Sequence, residues 1–224
     1  MKAMRHWDCK LDSFLNFIID TQREDGQFYE LIKQIDDKHW SFVNEDCYVM
    51  YPEDNLSLVR LECEADIEYL VVEGAMYLYR TTGDNEWLKK VLPKLEKGID
   101  YITSDSKRWD SQRGLVKRPF TIDTWDFEYD ENNKTGGSLD RRIRETSKMS
   151  IMHGDNSGVY QAMNQLAWFN RRLGNEEKAL NWEKRAEELK ENIFKYLWNG
   201  DFFIHQLHLN HDGADALEGS RLSL

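Results

Sequence analysis

Glu62-Cys-Glu-Ala-Asp-Ile-Glu-Tyr-Leu-Val-Val-Glu-Gly-Ala-Met-Tyr-Leu-Tyr-Arg-Thr-Thr82, continued by Gly83-Asp84-Asn-Glu86, is the stretch whose reading decides the fold. Ile67, Leu70, Val71, Met76, Leu78 and Tyr79 recur at the intervals that place apolar side chains on one face of a helix. Gly83 offers the left-handed conformation that stops a helix. Asp84 offers an N-cap oxygen for the next one, over about 85–104. A stop followed at once by a cap makes a tight antiparallel αα-hairpin.

The same grammar returns further along the chain. A helical pattern over 156–173 runs into Gly174, Asn175 stands where the next helix needs a cap, and Glu176 to about Leu197 is amphipathic. Both turns share the frame Arg, two residues, Gly, Asp or Asn, one residue, Glu. A further helix over about 10–23 ends near Gly26. The turn glycines Gly83 and Gly174 lie 91 residues apart, far beyond the period of about 34 in a tetratricopeptide array. The expected fold is therefore all-α and built from helical hairpins. Long irregular stretches separate them at 24–61 and 105–154, and connections of that length are commonly functional. A short β-hairpin is expected over 199–209, where Asn199-Gly200 precedes Phe202-Phe-Ile-His-Gln-Leu-His-Leu209.

Composition removes several classes of function. A chain of 224 residues with 40% apolar content can bury one substantial core. The formal net charge of −11 opposes binding to nucleic acid or to an anionic membrane surface. No apolar run reaches the roughly 20 residues a membrane span needs, and the mean hydropathy of −0.75 agrees. The first residues lack the apolar core of a secretory signal. Cys9, Cys47 and Cys63 are odd in number and show no metal-type spacing, so reduced thiols in a cytoplasmic protein are expected. His205 and His208 would point to opposite faces of a strand, which disfavours a shared metal with His211. There is no glycine-rich phosphate loop and no nucleophile motif, so neither a cofactor nor a metal is expected.

The chemistry-bearing stretch is Arg118-Pro-Phe-Thr-Ile-Asp-Thr-Trp-Asp-Phe127, which lies between the two hairpins. Asp123 and Asp126 stand three apart around Trp125. Burial of Asp126 between Trp125 and Phe127 would raise its pKa, as a general acid needs, and Trp125 would offer a flat apolar face to a sugar ring. The plainer account is a loop whose aromatics plug the core while Asp123 caps a turn. A two-carboxylate mechanism also requires a partner roughly 5–10 Å away, which no sequence spacing identifies. Glu64 and Glu68 belong to an acidic row at the expected start of the 62–82 helix. The helix dipole accounts for most such residues, but they would meet sugar hydroxyls if that helix end faces a cleft. His153, Asp155 and Asn156 precede the next helix, where they would cap it or orient a substrate.

These residues resemble a family. Glu64 through Tyr79-Arg-Thr-Thr-Gly-Asp-Asn-Glu-Trp-Leu88 to Pro93-Lys-Leu looks like a hairpin of the six-hairpin, (α/α)6-toroid glycosidases. Arg118–Phe127 is similar to the loop of glycoside hydrolase families 37 (trehalases) and 63 in which a Trp-Asp pair carries the general acid. Asp155-Asn-Ser-Gly-Val-Tyr-Gln-Ala, Leu173-Gly-Asn and Tyr196-Leu-Trp-Asn199 resemble the following hairpin. The likeness covers most of 60–200. It implies an inverting glycoside hydrolase of carbohydrate metabolism with Asp126 as general acid and Trp125 as its aromatic neighbour. Arg118, Asp123, Phe127, His153, Asp155 and Asn156 become candidate contacts to a carbohydrate substrate. The family's Ser-Gly before Trp-Asp is Asp123-Thr124 here, which leaves Asp123 a rival for the acid role.

A complete toroid holds about twelve helices, and the sequence accounts for about five. The final Glu218-Gly-Ser-Arg-Leu-Ser-Leu224 has no helix stop. An incomplete toroid is therefore expected, with the general base in a later hairpin outside this chain. The alternative from another class is an α-helical repeat scaffold that binds protein partners, and a toroidal lyase or epimerase would share the fold.

Overall fold

Gly83 takes φ 67° and ψ 15°, and its N–H reaches the Tyr79 carbonyl, so the helix ends where the glycine permits a left-handed residue. Asp84 then accepts hydrogen bonds from the backbone N–H groups of Glu86 and Trp87. These two residues define the first hairpin in the computed structural model, α2 (Ile67–Thr82) and α3 (Asn85–Ile102). The structure describes residues 11–36, 48–119 and 143–210, apart from the side chains of Leu11, Tyr48, Val49 and Met50.

The second hairpin is α4 (His153–Arg172) and α5 (Glu176–Leu197), turned by Gly174 at φ 78°. Helix α1 (Leu11–Asp20) packs on the first hairpin through Leu15 and Ile19. Helices α2 and α4 run side by side in the same direction. Tyr69 near the start of α2 meets Gly158 near the start of α4, and Tyr79 near its end meets Trp168 and Phe169 edge-on. Each hairpin thus contributes its first helix to a common inner layer, and α3 and α5 lie outside it. Glu96 of α3 joins the two outer helices. It accepts from Asn170 of α4 at 2.8 Å and from Trp182 of α5 at 3.0 Å.

Several boundaries differ from the sequence reading. The long helix starts at Ile67, not at residue 62, so Glu62 and Glu64 lie in the turn before it. Leu70, expected on the buried face, is 42% exposed, and Val72 and Ala75 are buried in its place. Helix α4 starts at His153, three residues earlier than expected, which puts Asp155 and Asn156 inside its first turn. Asn175 occupies the cap position of α5, but its side chain makes no cap hydrogen bond.

The connections expected to be irregular contain antiparallel strands. In 24–61, β1 (Leu31–Gln34), β2 (Tyr48–Tyr51) and β3 (Leu56–Val59) form a sheet with β3 at the centre, Leu31 and Tyr48 both opposite Val59. In 105–154, β4 (Trp109–Asp110) pairs with β5 (Leu115–Val116) across Gly114. Strands β6 (Arg118–Pro119), β7 (Met149–Met152) and β8 (Gln206–His208) form a third sheet in that order. The hairpin expected over 199–209 is reduced to a single bridge, Trp198 with Phe203. The residues beyond it pair with β7 instead, Leu207 opposite Ile151. The fold is mostly helical, and the short strands lie in the connections that reach the N-terminal ends of α2 and α4, except β8, which follows α5 and pairs with β7.

Candidate active site

Because α2 and α4 are parallel, their N-terminal ends open on the same side of the molecule. The turn Leu61–Asp66, the strand β6 and the first turn of α4 meet there. Arg118 lies at the centre, only 7% exposed. Its Nη2 is 3.5 Å from a Glu64 carboxylate oxygen and its Nη1 is 3.8 Å from Asp155 Oδ2. The chain brings these three together although residue 64 and residue 155 are far apart in sequence. Strand β6 delivers Arg118 through its pairing with Ser150 of β7, which runs directly into α4.

Asp155 is buried, and loss of solvent raises its pKa against the pull of Arg118. Among the described residues, its Oδ2 accepts no hydrogen bond, and neither does the buried Oδ1 of Asp66. Burial, with the negative charge of Asp155 and Asp66 adding to it, pushes the Tyr69 hydroxyl well above the ordinary tyrosine value. Buried oxygens and a neutral phenol with spare hydrogen-bonding capacity suit a ligand rich in hydroxyl groups.

Glu68 and Asn156 are placed differently. Glu68 is fully buried beneath the turn, where its two oxygens take Arg60 Nη2 at 3.2 Å and the Phe28 N–H at 3.3 Å. Arg60 also pairs with Glu30 at 3.4 Å and donates to the Glu64 carbonyl at 2.9 Å. Asn156 behaves as a strand partner. Its side chain bonds the N–H and C=O of Val116 at 2.8 and 2.9 Å and the Met152 carbonyl at 2.8 Å, fastening β5 to α4. Both side chains are occupied by protein partners and support the residues around the opening. His153 begins α4, stacks on Phe203 with ring centres 4.5 Å apart, and lies 3.3 Å from the Ser157 hydroxyl. Burial and the nearby His205 lower its pKa, which favours the neutral ring.

Asp123, Trp125, Asp126 and Phe127 lie outside the described residues. The positions around them are fixed nonetheless. The chain leaves the third sheet at Pro119 and comes back as its paired neighbour at Met149. Sequence reasoning missed Arg60, Glu62, Asp66, Tyr69 and Arg108. A usable signal existed for the arginines: Arg60 and Arg108, each flanked by an apolar residue, are only 1% exposed, as charges buried with partners must be.

A second recess of about 340 Å³ lies toward the other end of the inner helices, lined by Met76, Tyr77, Arg80, Asn164, Gln165 and Trp168 among others. None of the described site residues derived from the sequence lines it. Among the described residues no group of acidic, histidine or cysteine side chains has the arrangement of a metal site, and no helix is long and apolar enough to cross a membrane.

Residues 67–220 match the family model described as mannosylglycerate hydrolase MGH1-like glycoside hydrolase domain. No curated protein is matched by the chain. The matched region begins with α2, contains both hairpins and takes in Arg118, Asp126 and Asp155. A model that covers well over half of the chain, over two parallel-stacked hairpins of the expected kind, is decisive against the repeat-scaffold alternative: the chain belongs to the MGH1-like glycoside hydrolase family, of the six-hairpin glycosidase type, and is a glycosidase.

Proposed function

We propose that the protein is an inverting glycoside hydrolase of carbohydrate metabolism in which Asp126 protonates the departing glycosidic oxygen. The observation that carries this reading is the meeting of Glu64, Arg118 and Asp155 at the shared opening of α2 and α4, at the root of the segment that holds Asp126. Trp125 and Phe127 form the apolar side of the sugar site, and Asp123 supports the acid. Asp155, Glu64, Arg118 and His153 line its polar side, with Glu68 and Asn156 behind them. The base that activates water is a second carboxylate, which the sequence likeness to families 37 and 63 assigns to a later hairpin of the fold.

The family's name makes mannosylglycerate the first substrate to try. Its glycerate leaving group is a poor one and needs protonation, whereas 4-nitrophenolate leaves readily without it. Asp126→Asn is expected to lower kcat on mannosylglycerate by about two to four orders of magnitude. The same substitution should cost far less on 4-nitrophenyl α-D-mannoside. Equal losses on both substrates, or near-normal turnover of mannosylglycerate, would remove Asp126 from the acid role. Proton NMR of the first product formed decides the stereochemistry, since inversion releases the opposite anomer.

A further inference from the structure

The third sheet has two unlike faces. Strand pairing sets Arg118 opposite Ser150, Ser150 opposite His208, and Met152 opposite Gln206. Side chains alternate along a strand and paired residues share a face, so Arg118, Ser150, Gln206 and His208 lie on the same side. Ile151 and Leu207 lie on the other, where they join the helical core. The polar face is the one from which Arg118 reaches Glu64 and Asp155.

Ser150 is fully buried and Gln206 is only 4% exposed. Among the described residues, Ser150 Oγ and both amide atoms of Gln206 make no hydrogen bond, and the same holds for Arg118 Nε and Asp155 Oδ2. A buried polar atom without a partner carries its full desolvation cost, and an apolar side chain of the same shape would remove that cost. Packing alone therefore gives no reason for a glutamine and a serine here. Their place on the face of Arg118, at the opening of α2 and α4, suits a ligand that satisfies them when bound.

The mix of groups selects the ligand's chemistry. The Gln206 amide offers one acceptor and two donors, the Ser150 hydroxyl does both, Arg118 donates, and Asp155 and Glu64 accept. Arg118 is already shared between two carboxylates, so an anionic ligand group would meet net negative charge. Neutral hydroxyl groups, each able to donate and to accept, meet no such repulsion.

We propose that Ser150 and Gln206 are substrate-binding residues that form the floor of the sugar site, where they hydrogen-bond ring hydroxyls of the glycosyl unit and not the anionic leaving group. This rests on the shared opening of α2 and α4 being the sugar site of the hydrolase.

The test uses the full chain with Ser150→Ala and Gln206→Met, read by urea unfolding and by kcat/KM on mannosylglycerate and 4-nitrophenyl α-D-mannoside. Both substitutions delete orphaned atoms, so the urea midpoint is expected to hold or rise. kcat/KM should fall about three- to tenfold on both substrates, which carry the same glycosyl unit. Whichever of D-mannose, D-glucose and D-galactose raises the melting temperature of the wild type should bind each variant more weakly by a similar factor. A loss confined to mannosylglycerate would put the two residues at the glycerate end and overturn the proposal. So would a lowered midpoint in both variants, unchanged kcat/KM on both substrates, or a wild type indifferent to all three sugars. Failure of the acid reading looks different: Asp126→Asn would then turn over normally while the sugar still bound Ser150→Ala and Gln206→Met more weakly.

Discussion

The Tyr69 ring lies against the backbone of α4 at Gly158, so closely that a Cβ there would overlap three of its ring atoms. This contact sets the spacing of the two inner helices at the end where the candidate site opens. It also brings the Tyr69 hydroxyl within electrostatic reach of Asp155, one turn earlier on α4.

Gly158→Ala should therefore destabilise the protein by about 1–3 kcal/mol, because the rigid ring cannot move aside without opening the α2–α4 contact. Gly154→Ala on the same helix is the control. A Cβ at Gly154 meets nothing within 4 Å, and alanine there should be neutral or stabilising by up to about 1 kcal/mol. Urea unfolding of both variants checks the pair. Equal effects would mean that the Tyr69 contact does not hold in solution.

Glu96 is the polar link between three helices. Removing its carboxylate by Glu96→Ala leaves the Trp182 indole N–H without its acceptor and the buried Asn170 amide with only the Leu166 carbonyl, which should cost about 3 kcal/mol. Glu96→Gln keeps one oxygen where both donors converge and should cost markedly less. The Lys178 pair at 2.9 Å contributes little to either result, since that lysine is 61% exposed. Chemical denaturation of the two variants gives the comparison directly.

Glu30 carries a pH signature. Burial pushes its carboxyl up to about 7, and Arg60 offsets this only in part because it also serves Glu68. A folded-state pKa above the unfolded one means the folded state holds the proton more tightly. The associated stability is complete below pH about 4.5 and is lost as pH rises through about 7. Glu30→Gln should flatten the stability profile in that window. A slope unchanged from wild type would show that Glu30 is ionised throughout.

Arg118 is expected to couple Glu64 and Asp155 energetically as well as spatially. Arg118→Ala takes a buried guanidinium away from the buried Asp155 carboxylate and from Glu64 and should cost about 3–5 kcal/mol. Adding Asp155→Asn should recover part of that loss, since one uncompensated charge is gone. A double-mutant cycle measured by thermal unfolding would give strict additivity if the two side chains do not interact.

The hairpins were legible in the sequence because their signals are local. A glycine that ends α2 at positive φ and an aspartate that caps α3 act within a few residues, and both occupy the expected positions. The end of α5 at Leu197 follows from the same apolar period. The start of α2 was misjudged for a related reason. Glu62 and Glu64 fit a helix N-terminus by charge, yet they serve Ile143, Lys107 and Arg118, partners that a helix-dipole argument does not consider.

The strands were hidden by their shortness and by the distance to their partners. Two to four residues carry too little period to read, and β8 finds β7 more than fifty positions back along the chain. Asn156 looked like a helix cap, and only the arrival of Val116 reveals it as the side chain that ties a strand to α4.

The sequence by itself thus determined the helical hairpins, their turns and the glycosidase kinship, all written in short-range periodicity and in contiguous motifs. Only the tertiary structure decided which charges meet. Parallel packing of α2 on α4 brings Glu64, Arg118 and Asp155 to one opening, and a buried ion pair is specified by approach in space, which no spacing along the chain encodes.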